Sequence, residues 1–332
     1  MAEKPGDERV RQYLERAGLP PDTATTALAG DASTRRYIRV AEPTRGSLML
    51  LVHPAPFDAE TLPFLNVAAL LERMDVRVPA ILGSEPDLGI LVIEDLGDMT
   101  IQDYLKDASA DDKTRRYAEA VALIGRMQEG GRRFASSRYQ PFGLAFDVEK
   151  LSWELDFFLE HFVVQHRSTA LTADRRSALR DEFELLASEL AAEPRVFCHR
   201  DYHSRNLMWH SRELCVIDFQ DARLGPDSYD LVSLLRDSYI DHGQDFVDQM
   251  IDAFVSLIPD AGRDFGRRFD VMSVQRHLKA LGTFGYQAAV AGTTRYEGDV
   301  PRTLGYLHDV FERRPRFDRL RALLAPSIPE LG

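Results

Sequence analysis

The chain has 332 residues, of which 44% are hydrophobic and 28% are charged, with 21 glycines and 17 prolines. This composition is that of a globular protein, and it excludes collagen, a coiled coil and wholesale disorder. The formal net charge is −12, which disfavours nucleic acid and anionic membranes as partners because both repel an acidic protein. An anionic ligand would therefore need a local concentration of positive charge. Because the chain has only five lysines, arginine is the expected phosphate-binding cation.

The sequence gives no sign of secretion, membrane insertion or disulfide bonding. Residues 1–10 lack the basic and apolar regions of a secretory signal. The sequence contains no run of 18 apolar residues, the length that a membrane-spanning helix needs. Cys198 and Cys215 lie in apolar strings that are typical of small buried side chains. These features predict a cytoplasmic protein and leave its oligomeric state open.

The pattern of predicted elements divides the chain near Gly97. Before this point we predict a helix at 7–18, a strand at 37–40, a strand at 48–52, a helix at 64–74 and a strand at 89–94. After it we predict long helices at 114–128, 148–164 and 176–193, a β-rich island at 196–219, and helices to the end. This predicts an α+β protein with a small β-rich lobe, 1–97, and a large, mostly helical lobe, 98–332.

The β-rich island combines a hairpin pattern with three polar side chains. Two apolar runs flank the polar turn at 210–213, which is typical of a β-hairpin. Folding the chain about Ser211 and Arg212 predicts that Asn206 lies close to Asp218 at the open end of the hairpin. Asp201 lies in the loop that enters the same end.

This trio fits phosphoryl transfer. Asp-x₄-Asn, followed about a dozen residues later by Asp, is the spacing of the protein-kinase catalytic loop and its metal-binding aspartate. Asp201 is the predicted catalytic residue, which orients and deprotonates an acceptor hydroxyl. Asn206 and Asp218 supply the hard oxygen ligands that suit Mg²⁺. We expect His199 to brace the loop, and Asp230 to cap the next helix and hold the catalytic segment.

A metallohydrolase is a competing interpretation of the same segment. His199, Asp201 and His203 alternate, so on a strand they would share one face and could bind zinc. A hydrolase would give no role to Asn206 or to the hairpin that ends at Asp218. Phosphoryl transfer is therefore favoured.

On these residues the chain resembles the aminoglycoside phosphotransferase family, small-molecule kinases with a two-lobed protein-kinase-like fold. The resemblance covers most of the chain. Residues 30–40 are similar to the nucleotide loop, and 92–96 are similar to the hinge that binds adenine through backbone groups. Residues 199–206 and 217–219 are similar to the catalytic and metal segments. More narrowly, the strings at 30–37 and 198–208 resemble the anomeric sugar kinases of bacterial cell-wall recycling, which phosphorylate N-acetylmuramate and N-acetylglucosamine at C1.

The resemblance implies an ATP- and Mg²⁺-dependent sugar kinase acting in peptidoglycan recycling, whose partner is a small-molecule sugar. It implies that residues 1–97 bind the nucleotide and that residues 98–332 carry the catalytic loop and the acceptor site. The nucleotide-binding residues expected on this basis are Ser33, Thr34, Arg35, Arg36, Glu94 and Leu96. The substrate-binding candidates are His203 and Arg205, which lie beside Asp201, and Trp153 and Glu154 on an aromatic-rich helix. An arginine near the acceptor would suit a carboxylate such as the lactyl group of N-acetylmuramate.

The third strand departs from the family pattern. Kinases of this fold usually carry a lysine there that holds the α- and β-phosphates, whereas residues 48–53 contain none. We predict that Arg35 or Arg36 replaces it, since arginine binds phosphate oxygens bidentately. Adjacent strand residues point to opposite sides, so one of the two should face the nucleotide.

Other functions stay open at this point. The same scaffold supports aminoglycoside, choline or homoserine-type kinases, because a fold does not determine its substrate. An acidic helix face at 241–252 could suit a polycationic aminoglycoside, although a solvated face is favoured. The missing lysine also admits a nucleotide-binding pseudokinase, against which stands the complete set of Asp201, Asn206 and Asp218. The preference for ATP over GTP is not determined.

Overall fold

The computed structural model describes residues 5–28, 35–44, 46–258, 262 and 264–332. The chain forms two compact units, neither of which is continuous in sequence. The first unit comprises residues 1–99 and 208–220, and the second comprises 100–207 and 221–332. Ser33 and Thr34, two of the predicted nucleotide-binding residues, lie outside the described residues.

The first unit is built around an antiparallel sheet. Its elements are α1 (Pro5–Arg16), β1 (Thr25–Leu28), β2 (Arg36–Glu42), β3 (Gly46–Val52), α2 (Pro63–Arg73), β4 (Ile81–Glu85) and β5 (Ile90–Glu94). The strands pair in the order β1-β2-β3-β5-β4. The strands and helices that the sequence predicts up to residue 97 are all confirmed, with ends displaced by a few residues.

Alternation along β2 assigns its residues to two faces. Ile38 and Val40 point to the face covered by α1, where they pack in a buried cluster with Val10 and Leu14. Burying side chains of this size stabilises the fold by about 1.5–3 kcal/mol each. The residues between them belong to the opposite face, where Arg39 donates to Asp95 at 2.6 Å. Arg36, the first residue of β2, therefore shares the face of Ile38.

The second unit is mostly helical. Its helices are α3 (Ile101–Tyr104), α4 (Ala110–Arg133), α5 (Val148–Phe158), α6 (Ala173–Ala191), α7 (Tyr229–Leu235), α8 (Gln244–Leu257), α9 (Phe265–Ala289), α10 (Val300–Arg313) and α11 (Asp318–Leu324). Helices α4, α5 and α6 each follow a capping side chain, from Ser109, Asp147 and Thr172 respectively, whose oxygen accepts a backbone N–H three residues later. Because of the caps at Ser109 and Thr172, α4 and α6 begin a few residues before the starts predicted from their apolar stripes.

Helix α9 packs unusually close to α5 and to the π-helical turn at 159–166 that continues α5. Glycines make this possible, because a Cβ atom at Gly282 would lie 2.8 Å from Phe158 Cα. A Cβ atom at Gly285 would lie 2.5 Å from the His161 carbonyl oxygen. Any larger residue would push α9 away, so these two positions fix the helix within the second unit.

Two small β-structures surround the island predicted at 196–219. Strand β6 (Arg195–Cys198) pairs antiparallel with β9 (Arg223–Pro226), a strand that the sequence analysis did not predict. Strands β7 (Leu207–His210) and β8 (Glu213–Val216) pair with each other. Between them Ser211 and Arg212 have φ of 52° and 68°, and two positive φ values in a two-residue loop are those of a type I′ hairpin turn. The predicted hairpin is confirmed.

The hairpin is anchored inside the first unit. The Trp209 N–H donates to the Met99 carbonyl at 2.8 Å, and the Val216 N–H donates to the Arg77 carbonyl at 2.8 Å. Met208 and Cys215 also bury their side chains against Leu96. The α+β class is thus confirmed. Among the described residues, no helix is both long and apolar enough to cross a bilayer.

Candidate active site

The loop that follows β6 and carries Asp201 is held by a buried carboxylate. Asp230, which is 1% exposed, accepts the backbone N–H of His199 at 2.7 Å and that of Arg200 at 3.0 Å. Helix α7 is preceded by Ser228, so the prediction that Asp230 caps this helix is wrong. Its carboxylate faces the two loop donors instead, and its predicted hold on this segment is confirmed. Burial raises the pKa of Asp230.

The backbone is strained immediately before Asp201. Arg200 has φ of 88°, a conformation that costs a non-glycine residue about 1–3 kcal/mol. Contacts hold the strained peptide on both sides, since its N–H is bound by Asp230 and its carbonyl accepts from Arg276 at 3.0 Å. Arg276 also donates to the Tyr229 hydroxyl at 3.0 Å. The surrounding structure therefore determines where Asp201 points.

Three cations surround the Asp201 carboxylate. The Lys279 ammonium lies 3.0 Å from Oδ1, the Arg276 guanidinium 3.6 Å from the same oxygen, and the Arg200 guanidinium 3.7 Å from Oδ2. Burial alone would raise the pKa of Asp201, but the three cations outweigh it and hold that pKa well below its usual range. Asp201 is therefore a carboxylate at neutral pH.

Asn206 is linked directly to the Asp201 backbone. Its Nδ2 donates to the Asp201 carbonyl at 2.8 Å, which commits the amide nitrogen and leaves Oδ1 as the atom able to bind a metal. Further along the loop, the Ser204 N–H and hydroxyl donate to the Asp237 carboxylate at 3.0 and 2.5 Å. The segment from 199 to 206 is thus clamped at both ends by buried carboxylates.

A cavity of about 120 Å³ lies beside Asp201 within the second unit. Its walls include Asp201, His203, Ser233, Asp237, Tyr239, Arg276, Lys279 and Thr283. Of the predicted substrate-binding residues, His203 lines this cavity. Arg205 lies next to it, with its guanidinium 3.4 Å from the ring centroid of Tyr239 and its Nε donating to Gln102 at 2.8 Å.

The other two predicted substrate-binding residues do not line this cavity. Trp153 is 55% exposed on α5, and the Lys150 ammonium lies 3.9 Å above its ring. Glu154 is buried and accepts a hydrogen bond from Gln275 at 2.8 Å. Their roles in substrate binding stay predictions.

Asp218 belongs to the first unit, whereas Asp201 and Asn206 belong to the second. It follows β8 with φ of 62°, so it too has the strained left-handed backbone. Its side chain is 43% exposed, and Oδ1 accepts from Gln220 at 2.9 Å. The guanidinium of Arg35 lies 3.6 Å from the same oxygen.

Arg35 and Arg36 differ in what they face. Arg35 immediately precedes β2 and lies beside Asp218. Arg36 pairs with Val52 in the sheet and shares the face of Ile38, which α1 covers. Arg35 is therefore the better candidate to meet a phosphate.

The predicted adenine-binding segment, 92–96, consists of the last three residues of β5 and the two residues that follow it. The Glu94 carboxylate accepts from Arg77 at 2.7 Å and from the Ala80 N–H at 3.0 Å. The carbonyl of Leu96 accepts from His210 Nδ1 at 3.0 Å. These contacts fix the segment within the first unit, and its role in binding a nucleotide stays a prediction.

The zinc interpretation gains no support from the geometry. Throughout the part of the chain that the structure describes, no group of three or more His, Cys, Asp or Glu side chains is arranged to hold a metal ion. His199, the first residue of that pattern, is fully buried. The Asp218 carboxylate and Asn206 Oδ1 are oxygen donors, and oxygen donors suit Mg²⁺ rather than zinc.

Two site residues escaped the sequence analysis, Arg276 and Lys279 on α9. They lie three residues apart, so both project from one helix face. The usable signal was a lysine, a residue that is rare in this chain. Nothing in the local sequence connects that helix to Asp201, 78 residues away.

Comparison with known proteins identifies the family. The model of the phosphotransferase enzyme family (APH) matches residues 24–269. The chain is 33% identical over 328 residues to the N-acetylmuramate/N-acetylglucosamine kinase of Neisseria meningitidis serogroup B, covering 96% of this chain and 95% of the relative. It is 33% identical over 320 residues to a protein of the same name from Pseudomonas aeruginosa, covering 94% of this chain and 91% of the relative.

Solved structures support the same assignment at the level of the fold. The ADP-bound aminoglycoside phosphotransferase APH(2'')-Ib matches with a TM-score of 0.62 at 14% identity, covering 90% of this chain and 97% of its own. A choline/ethanolamine kinase family protein from Mesorhizobium loti matches with a TM-score of 0.59 at 16% identity, covering 96% of this chain and 99% of its own. The predicted kinase-like fold is confirmed. Because the family model matches well over half of the chain and both curated relatives match nearly end to end, the chain belongs to the phosphotransferase enzyme family.

Proposed function

We propose that this protein is an ATP- and Mg²⁺-dependent kinase that phosphorylates the anomeric C1 hydroxyl of N-acetylmuramate or N-acetylglucosamine. One observation carries the proposal: the Asp201 carboxylate, which contacts three cations, lines a cavity in the helical unit. The names of the relatives at 33% identity supply the acceptor. The reaction would serve the recycling of peptidoglycan sugars in the cytoplasm.

In this proposal Asp201 orients the acceptor. The C1 hydroxyl donates a hydrogen bond to the Asp201 carboxylate, and its oxygen attacks the terminal phosphorus of ATP. A bond forms between that oxygen and the phosphorus, the bond from the phosphorus to the bridging oxygen breaks, and ADP leaves. Because the pKa of Asp201 is low, the carboxylate is a weak base that receives the proton late in the transfer. The products are a sugar 1-phosphate and ADP.

The donor set fits a magnesium ion. The Asp218 carboxylate and Asn206 Oδ1 are hard oxygen ligands, and Asn206 presents its oxygen because its nitrogen is bound to the Asp201 carbonyl. When bound, Mg²⁺ would offset the negative charge of the phosphates. Arg35, beside Asp218, would supply the cation that the third strand lacks.

The test is a panel of acceptors offered to the purified protein with ATP and Mg²⁺ and scored by ADP release. We expect release with N-acetylmuramate or N-acetylglucosamine, and none with a methyl glycoside of N-acetylglucosamine, in which C1 is blocked. Phosphorylation of the methyl glycoside would refute the C1 assignment. Activity only on aminoglycosides, choline or homoserine would favour a different kinase of this family. Thermal stabilisation by Mg²⁺ and ATP without ADP release on any acceptor would favour a pseudokinase.

A further inference from the structure

The cavity beside Asp201 has a cationic wall. Its charged lining consists of Arg236, Arg276 and Lys279 against the carboxylates of Asp201 and Asp237. Two histidines also line it, and burial lowers the pKa of both, to about 3 for His277, so both are neutral at physiological pH. In a chain with a net charge of −12, the charge of this cavity has the opposite sign.

The carboxylates of the cavity are already engaged. Asp237 accepts hydrogen bonds from the N–H and hydroxyl of Ser204 and from the Tyr239 N–H. Asp201 is shared among three cations. The unbalanced charge of the cavity is therefore positive.

Two of the three N–H donors of the Lys279 ammonium group are not used by the described residues. An ammonium group has three N–H donors, and within the described residues the only hydrogen-bond acceptor of Lys279 Nζ is Asp201 Oδ1, at 3.0 Å. Its side chain is only 17% exposed, so water has limited access to the other two donors. The Arg276 nitrogen that lies 3.6 Å from the same oxygen, Nη1, already donates to the Arg200 carbonyl and the Tyr229 hydroxyl. Lys279 is thus the cation that makes the shortest contact with Asp201 and keeps donors for a ligand at that point, and Arg276 supports the loop behind it.

An acidic acceptor would place a negative charge within reach of this ammonium. The hydroxyl to be phosphorylated lies within a hydrogen bond of Asp201, and Lys279 contacts the same carboxylate. A carboxylate carried a few bonds away on the acceptor can therefore meet Lys279. N-acetylmuramate has such a group, the lactyl ether on C3, whereas N-acetylglucosamine has a hydroxyl there.

We infer that Lys279 binds the carboxylate of a sugar acid, so that this cavity selects N-acetylmuramate over its neutral counterpart. This inference rests on the proposed function and adds the residue that determines acceptor preference. The two sugars share the reacting C1 hydroxyl and differ at C3. Their comparison therefore separates recognition of the carboxylate from the chemical step.

The experiment measures kcat and KM for both sugars in the wild type, Lys279→Met and Lys279→Arg, with Lys113→Met as the matched control. Lys113 lies on α4 with its ammonium 4.8 Å above the Phe246 ring, and it does not line the cavity. Losing one charge-assisted contact should raise the KM of Lys279→Met for N-acetylmuramate about tenfold or more. Because Lys279 also contacts the catalytic carboxylate, kcat of Lys279→Met should fall by a similar factor for both sugars. The preference is therefore read from KM: KM for N-acetylglucosamine should change less than threefold, and Lys279→Arg should retain most of the preference. Titration calorimetry of N-acetylmuramate with the nucleotide-free proteins should show the same loss without turnover.

Several outcomes would overturn the inference. Equal rises in KM for both sugars would mean that Lys279 does not recognise the carboxylate, and an unchanged KM for N-acetylmuramate would mean that it does not contact this sugar. If Lys279→Met does not fold, the salt dependence of the wild type decides, because KM should rise with ionic strength for N-acetylmuramate alone. A wild type that phosphorylates only N-acetylglucosamine would overturn the inference and leave the kinase standing. A wild type inactive on both sugars would refute the proposed function itself.

Discussion

Two strained residues, Arg200 in the helical unit and Asp218 in the sheet unit, sit in very different surroundings. The peptide of Arg200 is bound on both sides by Asp230 and Arg276, and the Asp201 carboxylate beside it has three cationic neighbours. The Asp218 side chain is 43% exposed and contacts Gln220 and Arg35. The same backbone strain is thus imposed by a buried polar network in one place and by the end of a short strand in the other.

The difference predicts how each region responds to change. Where buried groups hold a residue, removing one leaves an unsatisfied partner and costs stability. Where a side chain is half exposed with few contacts, its removal should affect the reaction and leave the fold intact. The variants below test this contrast, from the largest expected effect to the smallest.

Asp201→Asn should lower turnover about 10²-fold or more, because the amide cannot accept the acceptor proton in the same way. Binding of the nucleotide should survive, which thermal stabilisation by Mg²⁺ and ATP would show. Asp252→Asn, a change of the same kind at an exposed position on α8, serves as the control. Near-normal turnover in Asp201→Asn would remove this residue from the mechanism.

Arg35→Ala should raise KM for ATP or lower turnover by about tenfold or more, the loss of one charge-assisted contact. Arg36→Ala should have a smaller effect, because Arg36 shares the sheet face that α1 covers. Arg73→Ala, at an exposed position in the last turn of α2, controls for removal of an arginine from this unit. If Arg35→Ala, Arg36→Ala and the double variant all behave as wild type, the phosphate charge is balanced elsewhere.

Asp230→Asn should lower the free energy of unfolding by about 1–3 kcal/mol, since an amide cannot accept both loop N–H groups as the carboxylate does. Asp218→Asn is the matched comparison, and we expect it to change stability by less than about 0.5 kcal/mol while impairing activity. Urea denaturation measures both. Equal destabilisation by the two variants would show that Asp218 contributes to the fold as much as Asp230 does, and the proposed difference between the two regions would be wrong.

Glu193 is a second buried carboxylate that can be compared with Asp201. Asp201 has three cations within 4 Å, whereas Glu193 forms no ion pair within the described residues. It is 6% exposed, and neither of its oxygens has a hydrogen-bond partner among the described residues. Burial, with a further contribution from Asp227, raises the pKa of Glu193 to about 8. Between pH 4.5 and 8 the folded state therefore holds a proton that the unfolded state releases, so stability falls as pH rises through this window.

Glu193→Gln should flatten this dependence, removing up to about 1.4 kcal/mol of stability change per pH unit. Chemical denaturation of both proteins at pH 5, 6.5 and 8 measures the effect. The stability of Glu193→Gln relative to that of the wild type should therefore increase as pH rises. Parallel curves for the two proteins would show that Glu193 does not titrate in this window.

Much of the fold follows from local sequence. Strand β3, the hairpin turn at Ser211 and Arg212, and helices α2, α4 and α6 were all predicted, because apolar periodicity and turn residues act over a few positions. Helices α4 and α6 start earlier than predicted because the N-caps at Ser109 and Thr172 begin them before their apolar stripes. Strand β9 was missed, since β6, the strand with which it pairs, lies almost 30 residues earlier.

The candidate site divides along the same line. The spacing of Asp201, Asn206 and Asp218 made them candidates by sequence alone, because a kinase-type loop and hairpin keep such residues at short, recognisable intervals. Arg276 and Lys279 could be assigned to the site only from the tertiary structure, which places both of them beside Asp201. Gly282 and Gly285 let their helix, α9, pack closely against α5 and the turn that continues it.

The sequence by itself therefore determined which groups carry the chemistry and, through resemblance, the family. Tertiary structure decided which charges surround them: that three cations meet at Asp201, that Asp230 binds the loop rather than capping its helix, and that Arg35 lies beside Asp218. The physical reason is range. Hydrogen-bonded turns and apolar alternation are set by neighbours in the chain, whereas the environment of a charge is set by whichever distant segments pack around it.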